Sequence, residues 1–123
     1  MQMSSMFINP KLTGDIYSTS EVKTSKKWIN GKPIYRKVYT GNCAKNTAIT
    51  LDTLPNIDKI VGCSGWATSM YDWSWAIPNY HSDGYSVWAR YGTANHNLQL
   101  SFGSLFESTG TYNLTVEYTK TTD

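Results

Sequence analysis

Thr111-Tyr112-Asn113-Leu114-Thr115-Val116-Glu117-Tyr118-Thr119 alternates without a slip. Tyr112, Leu114, Val116 and Tyr118 fall on one side, and Thr111, Asn113, Thr115, Glu117 and Thr119 on the other. Side chains of an extended chain point to opposite faces in turn, so this is a strand with one face in a core and one in water. Leu98, Leu100 and Phe102 alternate in the same way with Asn97, Gln99 and Ser101. No segment longer than a turn or two has helical periodicity.

Working outward from these strands, Val22 to Ile29 and Pro33 to Tyr39 flank Asn30-Gly31. That spacing predicts a hairpin closed by a type I′ turn, which needs positive φ at both central residues. Thr47 to Leu51 and Ile57 to Trp66 read as two further strands about a turn at Pro55-Asn56. Gly62 and Gly65 inside the second predict a bulge or a close backbone approach. In the segment Tyr85 to Tyr91, the residues Tyr85, Val87, Ala89 and Tyr91 oppose Ser86, Trp88 and Arg90. Both faces carry apolar bulk there, which predicts burial on both sides or a subunit contact. Seven short strands separated by turn signals define an all-β fold, an antiparallel β-sandwich of jelly-roll-like form. It is expected over residues 17–123, preceded by an unpatterned arm or linker over 1–16.

Composition narrows the class. Five Trp and nine Tyr among 123 residues, with only 16% charged residues, suit strands and polar loops and not a disordered chain. A net charge of +2 is too small to argue for nucleic acid. Lys23, Lys26, Lys27, Lys32, Arg36 and Lys37 cluster, and are expected on the outer side of the first hairpin. Neither a membrane-spanning apolar run nor a signal-peptide pattern is present, so the chain is expected to be made and folded in a cytoplasm without membrane insertion. In that reducing compartment Cys43 and Cys63 read as two small buried hydrophobes.

Constellations for catalysis are thin. The two histidines, His81 and His96, fall in turns, and no third partner or ligand-spaced cluster accompanies them. No glycine-rich phosphate loop is present. The expectation is no enzyme, no catalytic residues, no metal and no cofactor. The runner-up is a glycan hydrolase, which ordinarily needs two carboxyl groups about 5–9.5 Å apart. Asp72 with Asp83 is the one pair that could be nominated.

The distinctive stretch runs from Trp66 to His81, where Trp66, Tyr71, Trp73, Trp75, Tyr80 and His81 are interleaved with Ser69, Asp72, Ser74 and Asn79. An exposed indole or phenol offers a flat face to the C–H side of a sugar ring, and nearby polar groups bond its hydroxyls. Trp73, Trp75, Tyr71, Tyr80 and Asp72 are therefore the candidate carbohydrate-binding residues. The same rings also suit the cap of a sandwich or a subunit interface, where Tyr and Trp are enriched.

Two blocks, Tyr17-Ser18-Thr19-Ser20-Glu21 and Trp28-Ile29-Asn30-Gly31-Lys32-Pro33-Ile34-Tyr35-Arg36-Lys37, are followed by Leu54-Pro55-Asn56-Ile57-Asp58-Lys59-Ile60. Then come Ile77-Pro78-Asn79-Tyr80 and the end Val116-Glu117-Tyr118-Thr119-Lys120-Thr121-Thr122-Asp123. Taken in this order they resemble a small C-terminal domain of bacteriophage and prophage tail-fibre-like and other virion proteins. The resemblance covers under half of the chain, and its matched residues look like framework. It implies a virion component, homo-oligomeric and most simply a trimer, attached to other virion proteins and placed where a phage meets its host, and the aromatic stretch makes a host cell-surface glycan the expected partner there. Such domains usually end long fibres, whereas this short chain starts with its own Met. A capsid-decoration or head-fibre role without receptor binding therefore stays open.

Overall fold

A computed structural model describes residues 16–123, and nearly all of the expected arm lies outside the described residues. Eight strands follow one another: β1 (Val22–Lys27), β2 (Pro33–Asn42), β3 (Ala48–Thr53), β4 (Ile57–Thr68), β5 (Ser74–Ile77), β6 (Val87–Tyr91), β7 (Asn97–Phe102) and β8 (Thr111–Lys120). They form a five-stranded sheet in the order β1-β2-β8-β4-β5 and a three-stranded sheet in the order β3-β7-β6, every pair antiparallel. The two sheets pack face to face as the expected sandwich.

The alternation in β8 determines its place. Tyr112, Leu114, Val116 and Tyr118 are all buried against Leu98, Leu100 and Phe102 of β7 and Phe106 beyond it. With β2 on one side and β4 on the other, β8 has no free edge. A strand in that position is specified twice, by its buried face and by two hydrogen-bonded neighbours. The glycines of β4 act as the sequence predicts. Register shifts between Ile60 and Gly62, and a Cβ on Gly65 would lie 2.0 Å from the Asn113 carbonyl oxygen.

Three expectations change. The first hairpin forms, but its turn is not type I′. Gly31 N–H donates to Trp28 C=O, Trp28 N–H donates to Lys32 C=O, and of the two central residues of the Asn-Gly pair only Gly31 has positive φ. This is a type I turn closed by a glycine bulge, and Asn30 Oδ1 accepts from Lys32 N–H to hold it. Arg36 does not lie on a solvated outer side. It is buried, with Nε donating to Glu117 and its guanidinium 4.2 Å from the Tyr17 ring centroid, while Lys37 turns to the other face to bond Asp52 of β3. Cys43 is buried as expected, but Cys63 is exposed. Cys63 pairs with Val116 on the inner face, beside the register shift at Ile60–Gly62, and lines a gap of about 150 Å³ with Ile60, Ala89 and Leu98. The outer face of β6 is not covered within the chain: Trp88 is half-buried, and Arg90 is exposed and bonds Gln99.

The topology gives the sandwich two unlike ends. One end carries the tight turns at 28–32, 54–56 and 92–96. The other carries the longer connections 43–47, 69–73, 78–86 and 103–110. All the residues proposed for binding from the sequence belong to β5 and its flanking loops at this second end.

Candidate functional site

The aromatic stretch contains a strand. Ser74 to Ile77 pairs with Gly65 to Thr68, so the aromatic stretch is a hairpin, β4 and β5, whose turn spans 69–73. Alternation in β5 then separates the rings. Trp75 lies opposite Ala67, on the inner face, where its ring stacks on Tyr85 with centroids 4.7 Å apart and leans on His81 at 5.6 Å. It is half-buried and packed against the core. Of the five candidates, Trp75 is therefore the one turned inward, packed against Tyr85 and His81.

The other four stay outside. Tyr71 is 77% exposed, Trp73 61% and Tyr80 88%, and Asp72 is exposed beside them. Trp66 of β4, which the sequence reading noted without selecting, is 54% exposed on the outer face of the large sheet. These rings are not loosely hung. Ser69, itself buried, donates its N–H to Trp73 C=O at 2.7 Å, and its Oγ accepts from Trp75 Nε1 at 3.0 Å. That Oγ also lies 3.1 Å from the Met70 and Trp73 carbonyl oxygens, to which its hydroxyl donates. Met70 N–H donates to Leu105 C=O, and Leu105 N–H to Gly84 C=O. One residue of the 103–110 loop thus ties the aromatic turn to the 78–86 loop that carries Tyr80.

The turn holds Tyr71 at φ 64° and Asp72 at φ 62°, both left-handed. Such a conformation is unfavourable for any residue with a Cβ, and for a bulky one most of all. Two in succession persist only where the surroundings fix them, here by the Ser69 bonds. The signal that could have identified Ser69 is its position, a small hydroxyl between an aromatic strand and a turn, where such side chains bond local backbone.

Asp72 lies in this turn and Asp83 in the 78–86 loop, both exposed. Among the described residues no group of three or more His, Cys, Asp or Glu side chains is placed to hold a metal ion. Elsewhere, Asp52 joins the sheets by accepting from Lys37 Nζ and Tyr39 Oη, each at 2.8 Å. Burial works to raise its pKa, but those bonds outweigh it and hold the carboxyl below its ordinary value. Comparison with protein-family models, curated proteins and solved structures gave no match.

Proposed function

We propose that this chain is a non-enzymatic appendage domain of a bacteriophage particle that binds saccharide on the host cell surface through the aromatic turn between β4 and β5. The observation that carries the reading is the exposure of Tyr71, Trp73 and Tyr80 at one end of a fully cored sandwich. Packing does not require these rings to be aromatic, and an apolar side chain fixed in water is informative where a buried one is not. Asp72 supplies a carboxylate within the same turn for sugar hydroxyls. The left-handed pair at Tyr71 and Asp72 supports a functional turn, since strain of this kind concentrates at binding sites.

Assembly fits the same reading. Stacked rings in an open site contribute on the order of 1 kcal/mol each, so one copy binds weakly and several copies gain through avidity. We propose a homotrimer mounted on other virion proteins. Ile29, 91% exposed at the tip of the β1–β2 hairpin, lies at the end opposite the aromatic turn and suits attachment. Trp88, half-buried on an otherwise polar sheet face, suits the subunit contact. Localisation in the virion follows from this reading.

The test is a glycan array probed with wild type and a Tyr71→Ala, Trp73→Ala variant. Saccharide binding that the variant loses while keeping its circular dichroism spectrum supports the proposal. Wild type that binds no glycan would turn the reading to a capsid or joining role.

A further inference from the structure

Beside the aromatic turn lies a hollow of about 380 Å³, lined by Asn46, Tyr80, His81, Ser82, Gly84, Ser86, Gly103 and Ser104. Three loops build it, and glycines let them meet. A Cβ on Gly84 would lie 2.4 Å from Ser104 Oγ, and one on Gly103 would lie 2.4 Å from the Gly84 carbonyl oxygen. Gly103 N–H donates to Ser86 C=O, Leu105 N–H to Gly84 C=O and Asn46 N–H to Gly103 C=O, so the floor is pinned by backbone bonds from each loop. Ser86 Oγ is consumed there, accepting from His81 N–H and donating to His81 C=O.

The remaining polar groups are unspent. Among the described residues, the Asn46 amide and the Ser82 and Ser104 hydroxyls have no protein partner. His81 Nδ1 accepts from Asp83 N–H at 3.2 Å, which places the proton of the neutral ring on Nε2 and leaves it as a free donor. Tyr80 stands at the rim with 88% of its surface exposed. An open concavity with one flat ring, several neutral donors and acceptors, and no lysine, arginine, aspartate or glutamate in its lining has a definite chemical preference. An acidic ligand would find no cation, and a purely apolar one would strand the amide and hydroxyls. The volume lies toward the small end of ligand pockets, which are about 300–1,000 Å³.

We infer that this hollow is a subsite for one neutral sugar residue, with Tyr80 stacking on its face and Asn46, His81, Ser82 and Ser104 bonding its hydroxyls. The inference rests on the saccharide reading above and adds a second contact and a choice of sugar. Tyr71 and Trp73 then hold the adjoining residue of the same glycan, since Leu105 bonds both loops.

The probe is an array of neutral oligosaccharides ending in glucose, galactose or N-acetylglucosamine, beside others ending in uronic or sialic acid. Wild type is compared with Tyr80→Ala, Asn46→Gly and Ser104→Tyr, each checked for an unchanged circular dichroism spectrum. Asn46 has φ 50°, so glycine removes its amide without strain, and tyrosine at exposed Ser104 fills the hollow. The expected result is binding to neutral glycans, weakened about fivefold to tenfold by Tyr80→Ala and abolished by Ser104→Tyr. Binding that is lost with Tyr71→Ala, Trp73→Ala but untouched by Tyr80→Ala and Ser104→Tyr overturns the subsite and leaves the aromatic turn standing. Preference for acidic glycans overturns its specificity, and no binding by wild type overturns both proposals.

Discussion

Replacing Trp75 and Trp73 separately by alanine should have very unequal consequences for stability, though the two residues are separated by only Ser74. Trp75 stacks on Tyr85, touches His81 and donates to Ser69, and it is half-buried. Full burial of a Trp makes truncation cost about 3–5 kcal/mol. Half of that area loss, with the stack and the bond to Ser69 added, gives about 3 kcal/mol for Trp75→Ala. Trp73 is 61% exposed and only its carbonyl is bonded, a bond that alanine retains. Its truncation should cost under about 0.5 kcal/mol. For a domain of this size about 1 kcal/mol moves the melting midpoint by roughly 4 °C. Thermal unfolding followed by far-UV circular dichroism should therefore show a drop of about 12 °C for Trp75→Ala and at most about 2 °C for Trp73→Ala. Equal drops would refute the division of the hairpin into an inner wall and an outer binding face.

Other consequences are independent of ligand. Leu114→Ala, at the buried centre of β8, should cost about 3–4 kcal/mol in urea unfolding; a loss under 1 kcal/mol would mean that β8 is not central. Gly65→Ala should destabilise strongly, because the added methyl meets the Asn113 carbonyl of β8, and a melting midpoint equal to wild type would contradict the β4–β8 register. Cys63 should react with a thiol reagent in the native state, while Cys43, buried and with its thiol pushed up to about 11, should react only on unfolding; rapid labelling of both would contradict the sheet packing. The Asp52 carboxyl is held below its unfolded value of about 3.9, so its contribution is present above that value and is lost as pH falls through the folded one. Asp52→Asn should thus be less stable than wild type at pH 7, with the difference shrinking toward pH 2, and a difference constant with pH would exclude the Lys37–Asp52–Tyr39 link.

Much of the fold was legible because its central strands bury one face each. β7 and β8 alternate with period two, and a slip of one residue would send every apolar side chain into water. β5 was not legible. Trp73, Trp75 and Ile77 do alternate with Ser74 and Ala76, but over four paired residues among so many rings the density of aromatics hid the period. Asn30-Gly31 marked the hairpin without fixing its turn, since Gly alone at positive φ also satisfies a type I turn with a bulge. Arg36 looked solvated because nothing local reveals Glu117, which approaches it only once β8 pairs with β2. Gly62 announced the irregularity in β4, but not that Cys63 beside it would be left exposed. For the candidate site, ring composition picked out the segment, while the division between Trp75 and its exposed neighbours depended on the unrecognised β5 and on Ser69.

Retention of the fluorescently labelled protein on intact bacterial cells tests host-surface saccharide recognition most directly. Cells are compared before and after periodate oxidation, which cleaves the vicinal diols of surface sugars, with the Tyr71→Ala, Trp73→Ala variant alongside. The expected result is retention by wild type on untreated cells of a susceptible host, lost both on oxidised cells and in the folded variant. Retention that survives oxidation and the loss of both rings would contradict saccharide recognition by the aromatic turn.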